Sequence, residues 1–329
     1  MNEMLASRAN ELLGKARGGK TPVHPNDHVN LGQSSNDVIP TAIHVAAVIE
    51  TTGRLDPALA ELARSLDAKA KEFAAIRKIG RTHLQDAVPM TLGDEFSGYA
   101  HQINLARRRI ADARGRMLAL ALGGTAVGTG LNAHPEFAAR TIAGISAQTG
   151  CEFSEAQNHF QAQATLGAVV ELSGALRGLA VDLVKIANDI RWLASGPRCG
   201  LGEITLPALQ PGSSIMPGKV NPVLPEAVLQ VAAQVIGNDT TIALAGQGGY
   251  FELNTMLPIT AYTLLQSIEI LAKVVKLFAR RCVSGIEANA ARCESYVEQS
   301  ISLVTALVPR IGYDRAAAIA RKAYESGRT

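Results

Sequence analysis

The sequence predicts an all-α protein built as a long antiparallel helix bundle, and three observations carry that expectation. Hydrophobic residues make up 47% of the 329-residue chain while aromatics are only 4%. Ala, Leu, Val and Ile supply most of the apolar content, which suits helices packed on helices better than a β-sandwich. Apolar residues recur at helical spacing through most of the chain, in stretches that reach about 25 residues or more, or roughly 40 Å at 1.5 Å per residue. Helices of that length bury their apolar faces most economically against one another.

The elements follow in order. Residues 1–16 form an amphipathic pattern with Met4, Leu5, Ala9, Leu12 and Leu13 on one stripe. Gly14, Gly18, Gly19 and Pro22 end it and open a polar loop, His24-Pro-Asn-Asp-His28. A second loop, Gly32-Gln-Ser-Ser-Asn-Asp37, precedes an apolar stretch that begins at Pro40. Proline suits the start of a helix, and Ser35, Asn36 or Asp37 is the expected cap. Helical patterns follow over 56–76, 93–121, 135–149, 160–195, 222–246 and 257–282, with residues 286–329 more polar and interrupted. Ala168–Ala187 and Ala227–Ala245 carry apolar residues around more than one face. Burial on two sides, in an oligomer built from the long helices, is therefore expected.

Composition excludes several function classes. The net charge is only +3, and the densest basic cluster, Arg107-Arg108-Arg109, lies in a helical pattern without interleaved aromatics. That reads as a solvated face, not a nucleic-acid footprint. Cys151, Cys199, Cys282 and Cys293 are far apart with no CxxC pair, which fits a reducing cytoplasm and argues against zinc or iron–sulfur sites. Charges at Glu171, Arg177, Asp182, Lys185, Asp189 and Arg191 interrupt the most apolar segment, so no membrane span is expected. Met1 is not followed by the three-part pattern of a secretory signal.

Chemistry is concentrated in the polar loops. The segment Gly212-Ser-Ser-Ile-Met-Pro-Gly-Lys-Val-Asn-Pro222 has two glycines and two prolines and is neither a good helix nor a good strand. It has the parts to surround an anion: Lys219 supplies charge, Asn221 an amide, and glycines let backbone N–H groups approach. Gly80-Arg-Thr-His-Leu-Gln-Asp86 places a hydroxyl and an imidazole, Thr82 and His83, between two helical stretches. Imidazole is the side chain best matched to proton transfer near neutral pH. His24 and His28 suggest a metal pair, but Pro25 breaks the helical spacing such a pair needs, and no metal site is expected.

Taken together, His24-Pro-Asn-Asp-His-Val-Asn30, Gln33-Ser-Ser-Asn-Asp37, Gly80–Asp86, Gly123-Gly-Thr-Ala-Val-Gly-Thr-Gly130 and Gly212–Pro222 occur in an order that resembles the fumarase/aspartase superfamily, and class II fumarate hydratases most closely. The resemblance runs the length of the chain. Three positions separate the branches: fumarases have His before Pro-Asn-Asp, two serines before Asn-Asp, and Thr-His after Gly-Arg. His24, Ser34-Ser35 and Thr82-His83 follow the fumarase pattern.

The resemblance implies the fold of that family, a homotetramer with a multi-helix core in which three subunits build each active site, and no metal or organic cofactor. It implies reversible hydration of fumarate to (S)-malate through an aci-carboxylate carbanion, a dianionic group that needs dense stabilisation. In that scheme Ser213 is the general base, while Lys219 and Asn221 hold a substrate carboxylate. Ser34, Ser35, Asn36 and Thr82 donate to the dianion. His83, paired with Glu226, handles the water at the other carbon. His24, Asn26 and Asp27 match a second anion site, although Thr21-Pro22-Val23 stands where relatives often carry an arginine. Relatives also carry an N-terminal domain with a Ser-Gly-Thr substrate loop that nothing here matches, and the chain stops early at Ser326-Gly-Arg-Thr329. The implied division is a remnant of that domain over 1–32, the bundle over 33–285 and a partial C-terminal domain over 286–329. Two other readings stand beside hydration: an aspartate ammonia-lyase, which shares Ser213, Lys219 and Asn221, and an impaired core that binds dicarboxylates without turnover.

Overall fold

The computed structural model describes residues 1–327; Arg328 and Thr329, the end of the expected early stop, lie outside the described residues. Its helices are α1 (Asn2–Leu12), α2 (Ser35–Glu50), α3 (Asp56–Glu72), α4 (Leu92–Arg116), α5 (Phe137–Thr149), α6 (His159–Ala164), α7 (Gly167–Leu193), α8 (Val223–Gly246), α9 (Leu257–Leu277), α10 (Ala290–Gln299), α11 (Val308–Ile311) and α12 (Tyr313–Ser326). The chain divides into two compact units. One comprises residues 1–54, 109–177 and 235–269, the other 55–108, 178–234 and 270–329, and α4, α7, α8 and α9 each divide their residues between the two.

In the first unit the core is aliphatic: Ile43, Ala47 and Val48 of α2, Ile110 and Met117, Val169 and Leu172, Ile242, and Leu264 and Ile268 are buried. In the second, Leu59, Leu62 and Leu66 of α3, Ile103, Ile186 and Ile190, Val228, and Leu271 and Val275 are buried. Three rings stack edge-on there, with Phe73 5.3 Å from Phe96 and Phe96 5.5 Å from Tyr99. On α7 the buried residues Leu172, Leu176, Leu179, Leu183, Ile186 and Ile190 trace one stripe at helical spacing. Apolar side chains remain on other faces: Val181 on α7, Leu244 on α8 and Tyr262 on α9 are 55%, 62% and 65% exposed.

The all-α expectation holds, with local differences. The segment read as a polar loop at 80–86 is the end of a hairpin, β1 (Arg77–Thr82) against β2 (Gln85–Thr91). Gly80 and Pro89 obscure the alternation that marks a strand. Proline is tolerated in β2 because a two-stranded ribbon leaves one edge unpaired. The pattern over 160–195 is broken into α6 and α7 by Thr165, whose backbone is extended at φ −123°, ψ 153°. Helix α2 starts before Pro40, which lies inside it, and its cap is Ser34 rather than the three residues that follow.

Candidate active site

The loop after residue 211 is organised around Ser213. Its hydroxyl oxygen accepts hydrogen bonds from the backbone N–H of Ile215 at 3.2 Å and Met216 at 3.1 Å. Its own N–H donates to the Lys219 carbonyl at 3.2 Å, and Lys219 N–H donates to Met216 at 3.2 Å. Two donors on one oxygen favour its anionic form. Gly212 makes the closure possible: a Cβ there would lie 1.7 Å from the Lys219 carbonyl oxygen. Lys219 is exposed, and Asn221 is half-buried just before α8. Glu226 sits in the first turn of α8, where a carboxylate is favoured by the helix dipole.

Thr82 ends β1 and His83 stands at the exposed tip of the hairpin. The pair Thr82–Gln85 encloses a two-residue loop, His83-Leu84, in which both residues have positive φ, 55° and 60°. That is the backbone of a type I′ turn, which normally selects Asn or Gly. The register slips between Ile79 and Arg81, so Ala87 and Val88 of β2 face the single Gly80. A Cβ on Gly80 would lie 2.9 Å from the Val88 carbonyl. Among the described residues, no hydrogen bond within the chain joins His83 to Glu226 or to Ser213.

In the first unit, Ser34, Ser35 and Asn36 sit together at the start of α2. Ser34 Oγ accepts from Asn36 N–H at 3.2 Å, and Asn36 Nδ2 donates to the Ala126 carbonyl at 2.8 Å. Asp37, wholly buried, anchors this turn. It accepts from Ser34 N–H at 3.0 Å, and its other oxygen accepts from Gly123 and Thr125 N–H at 3.0 and 3.1 Å. The sequence marks Asp37 only as a possible cap; the signal that points to its larger role is the Ser34-x-x-Asp37 capping box. It also ties in the Gly123–Gly130 loop. Asn26 and Asp27 lie in the turn Pro25–Val29, which His24 caps: its Nδ1 accepts from Asn26 and Asp27 N–H at 3.2 and 3.1 Å.

A cavity of about 320 Å³ opens in the same unit between Gly123, Thr129, His134, Glu155 and His159, and none of the sequence-derived site residues lines it. His159 is already engaged, with Nδ1 2.9 Å from the Ala121 carbonyl and Nε2 2.9 Å from Glu155. All four cysteines are free, and burial pushes the Cys282 thiol up to about 12. No helix among the described residues is long and apolar enough to cross a membrane.

Comparison with known proteins accounts for the ensemble of helices and loops. Residues 1–237 match the lyase family model, and residues 303–329 match the model described as the fumarase C C-terminus. The chain is 59% identical over 328 residues to the class II fumarate hydratase of Methylorubrum extorquens, covering 100% of this chain and 70% of that protein. It is 56% identical over 324 residues to the corresponding protein of Nitrosomonas europaea, covering 98% and 70%. Among solved structures, the class II fumarase of Schistosoma mansoni superposes with a TM-score of 0.97 at 42% identity, covering 99% of this chain and 71% of that one. A fumarate lyase:delta crystallin from Brucella melitensis, bound to cobalt, gives 0.95 at 50% identity, covering 100% and 71%. The fold is thus that of the helical lyases. Within them, the chain belongs to the class II fumarate hydratase family.

Proposed function

We propose that this chain is a hydro-lyase that interconverts fumarate and (S)-malate by acid–base catalysis. The observation that carries the chemistry is the Ser213 hydroxyl, held by two backbone N–H donors inside a closed Gly/Pro loop. Removing a proton from carbon beside a carboxylate needs a strong base. A serine hydroxyl is far too weak an acid in water to provide one, and donors aimed at its oxygen stabilise the alkoxide. In this reading Ser213 takes the proton from the malate carbon next to one carboxylate. Lys219 and Asn221 hold that carboxylate as it becomes an aci-carboxylate dianion, and Thr82 with Ser34, Ser35 and Asn36 donates further hydrogen bonds. His83 moves the proton of the departing or attacking water, with Glu226 fixing the tautomer of its ring. His24, Asn26 and Asp27 form a second anion-binding turn.

His83 and Glu226 share no hydrogen bond within one chain, so in this reading they meet across subunits. A homotetramer whose active sites each draw on three subunits provides that arrangement. The exposed apolar residues of α7, α8 and α9 supply the surface for it. The cytoplasm is the proposed compartment.

The test is the ultraviolet loss of the fumarate double bond by the 329-residue chain, with the product identified in the presence and absence of ammonium. Malate without ammonium is the expected product; ammonium-dependent aspartate moves the assignment to an ammonia-lyase. Binding without turnover by a folded oligomer leaves only the dicarboxylate-binding reading. Ser213→Ala and His83→Asn are each expected to cut turnover by roughly 10²–10⁴-fold while leaving the oligomer intact. Full activity in both variants removes the proposed acid and base.

A further inference from the structure

The hairpin that presents His83 rests on a buried ionic cluster that the proposed mechanism does not use. Lys78 of β1 is 1% exposed and Glu203, in the segment after α7, is wholly buried. The Glu203 carboxylate accepts both arms of the Arg81 guanidinium, at 2.7 and 3.1 Å, and lies 3.4 Å from Lys78 Nζ. Lys78 Nζ is in turn 3.1 Å from Glu95 of α4. Two cations and two anions are thus balanced beneath the strand. Buried charges are costly unless paired in this way, and the forked geometry of arginine also fixes direction.

Glu203 is not on a mobile arm. Its N–H donates to the Leu193 carbonyl at 2.9 Å at the end of α7, and its carbonyl accepts from Asn289 N–H at 2.8 Å before α10. The Cys293 thiol reaches the same carbonyl at 3.7 Å. On its other side the Arg81 guanidinium lies over the Tyr296 ring, 5.5 Å from its centre. Arg81 pairs with Asp86 across the ribbon and so frames the loop that contains His83. Both loop residues, His83 and the bulky Leu84, occupy the left-handed region. Backbone held in that region by non-glycine residues persists only where the surroundings over-determine it.

We propose that Glu203 is a positioning residue for His83. Through Arg81 it clamps the base of the strained turn and sets where the imidazole points. This rests on the reading of His83 as the group that moves the proton of water, but the clamp itself is a statement about geometry. The cluster does not touch substrate in this scheme; it acts only through the histidine.

The experiment compares Glu203→Gln, Arg81→Lys and His83→Asn in the 329-residue chain, alone and combined. Circular dichroism and size-exclusion chromatography first establish which variants fold. Arg81→Lys keeps the charge but loses the fork, and it carries the test if Glu203→Gln does not fold. The expected result is a fall in kcat of about 10–100-fold, as for a misplaced catalytic group, with KM little changed. Each variant combined with His83→Asn should then be no slower than His83→Asn alone. Losses that multiply, or a KM that rises as much as kcat falls, overturn the proposal, because a structural defect acts independently of the imidazole. Nitrogen NMR of the histidine rings, with His83 assigned by its absence in His83→Asn, gives a readout free of activity. A shifted or broadened His83 signal in Arg81→Lys supports the clamp, and an unchanged one refutes it. If His83→Asn is fully active while that signal moves, the catalytic reading fails and the clamp stands.

Discussion

At the scale of single residues, Gly212 decides whether the loop after residue 211 can close on Ser213. The loop closes because nothing projects from Gly212 toward the Lys219 carbonyl, and that closure brings the Ile215 and Met216 N–H groups onto Ser213 Oγ. Gly212→Ala puts a methyl 1.7 Å from that oxygen, so the turn must open and the donors must leave. The segment is exposed or half-buried and contributes little to the core. The variant should therefore lose most of its turnover, on the order of 10²-fold, with its thermal midpoint almost unchanged. Steady-state rates and a melting curve on one sample check both halves. A comparable drop in Tm would show that the loop is holding the fold rather than the serine.

At the scale of elements, the buried Asp37 does two jobs with one carboxylate. It completes the capping box of α2 and collects Gly123 and Thr125, the latter at φ 57°. Asp37→Asn keeps the shape but turns an NH₂ toward at least one N–H donor. It should lower stability by about 1–3 kcal/mol, read from urea midpoints, and no change in midpoint would remove the anchoring role. Most helices were legible in the sequence because apolar spacing is a local property, and the long ones at 222–246 and 257–282 lie close to α8 and α9. Helix ends were less so. The cap at Ser34 was missed by one position because Ser35, Asn36 and Asp37 are all good caps. The hairpin is hard to read because Gly80 and Pro89 interrupt the alternation of its strands. The candidate loops could be read because their polar groups are consecutive in the chain. The Arg81–Glu203 pair could not, since its members lie 122 positions apart and a buried ion pair leaves no local periodicity.

For the whole molecule, His44 couples protonation to folding. Its Nδ1 faces the Met117 and Ala119 carbonyls at 3.1 and 3.0 Å, and burial holds its pKa below the ordinary 6.5. Below pH ~6.5 the unfolded chain takes up a proton that the folded chain resists. Stability is therefore fully present above that pH and declines as the pH falls through it. The slope contributed is at most about 1.4 kcal/mol per pH unit. His44→Gln should flatten the change in urea midpoint between pH 7.5 and 5.5; an unaltered slope would assign it to other groups. Association is tested on the opposite kind of surface. Leu244 is 62% exposed on α8, and Leu244→Arg should shift sedimentation from the oligomer toward smaller species. An unchanged profile would place the interface elsewhere.

The division of the chain into two interleaved units also bears on its synthesis. Each unit draws on three separate stretches, and the first is complete only when Glu269 has been made. At roughly 5–20 residues per second, tens of seconds pass between the first stretch leaving the ribosome and the arrival of its last partner. Through that interval the apolar stripes of α2, α4 and α7 have no finished core to enter. Until then the exposed stripes can meet other chains as readily as their own later partners, so slower delivery of the final stretch lengthens the window for aggregation.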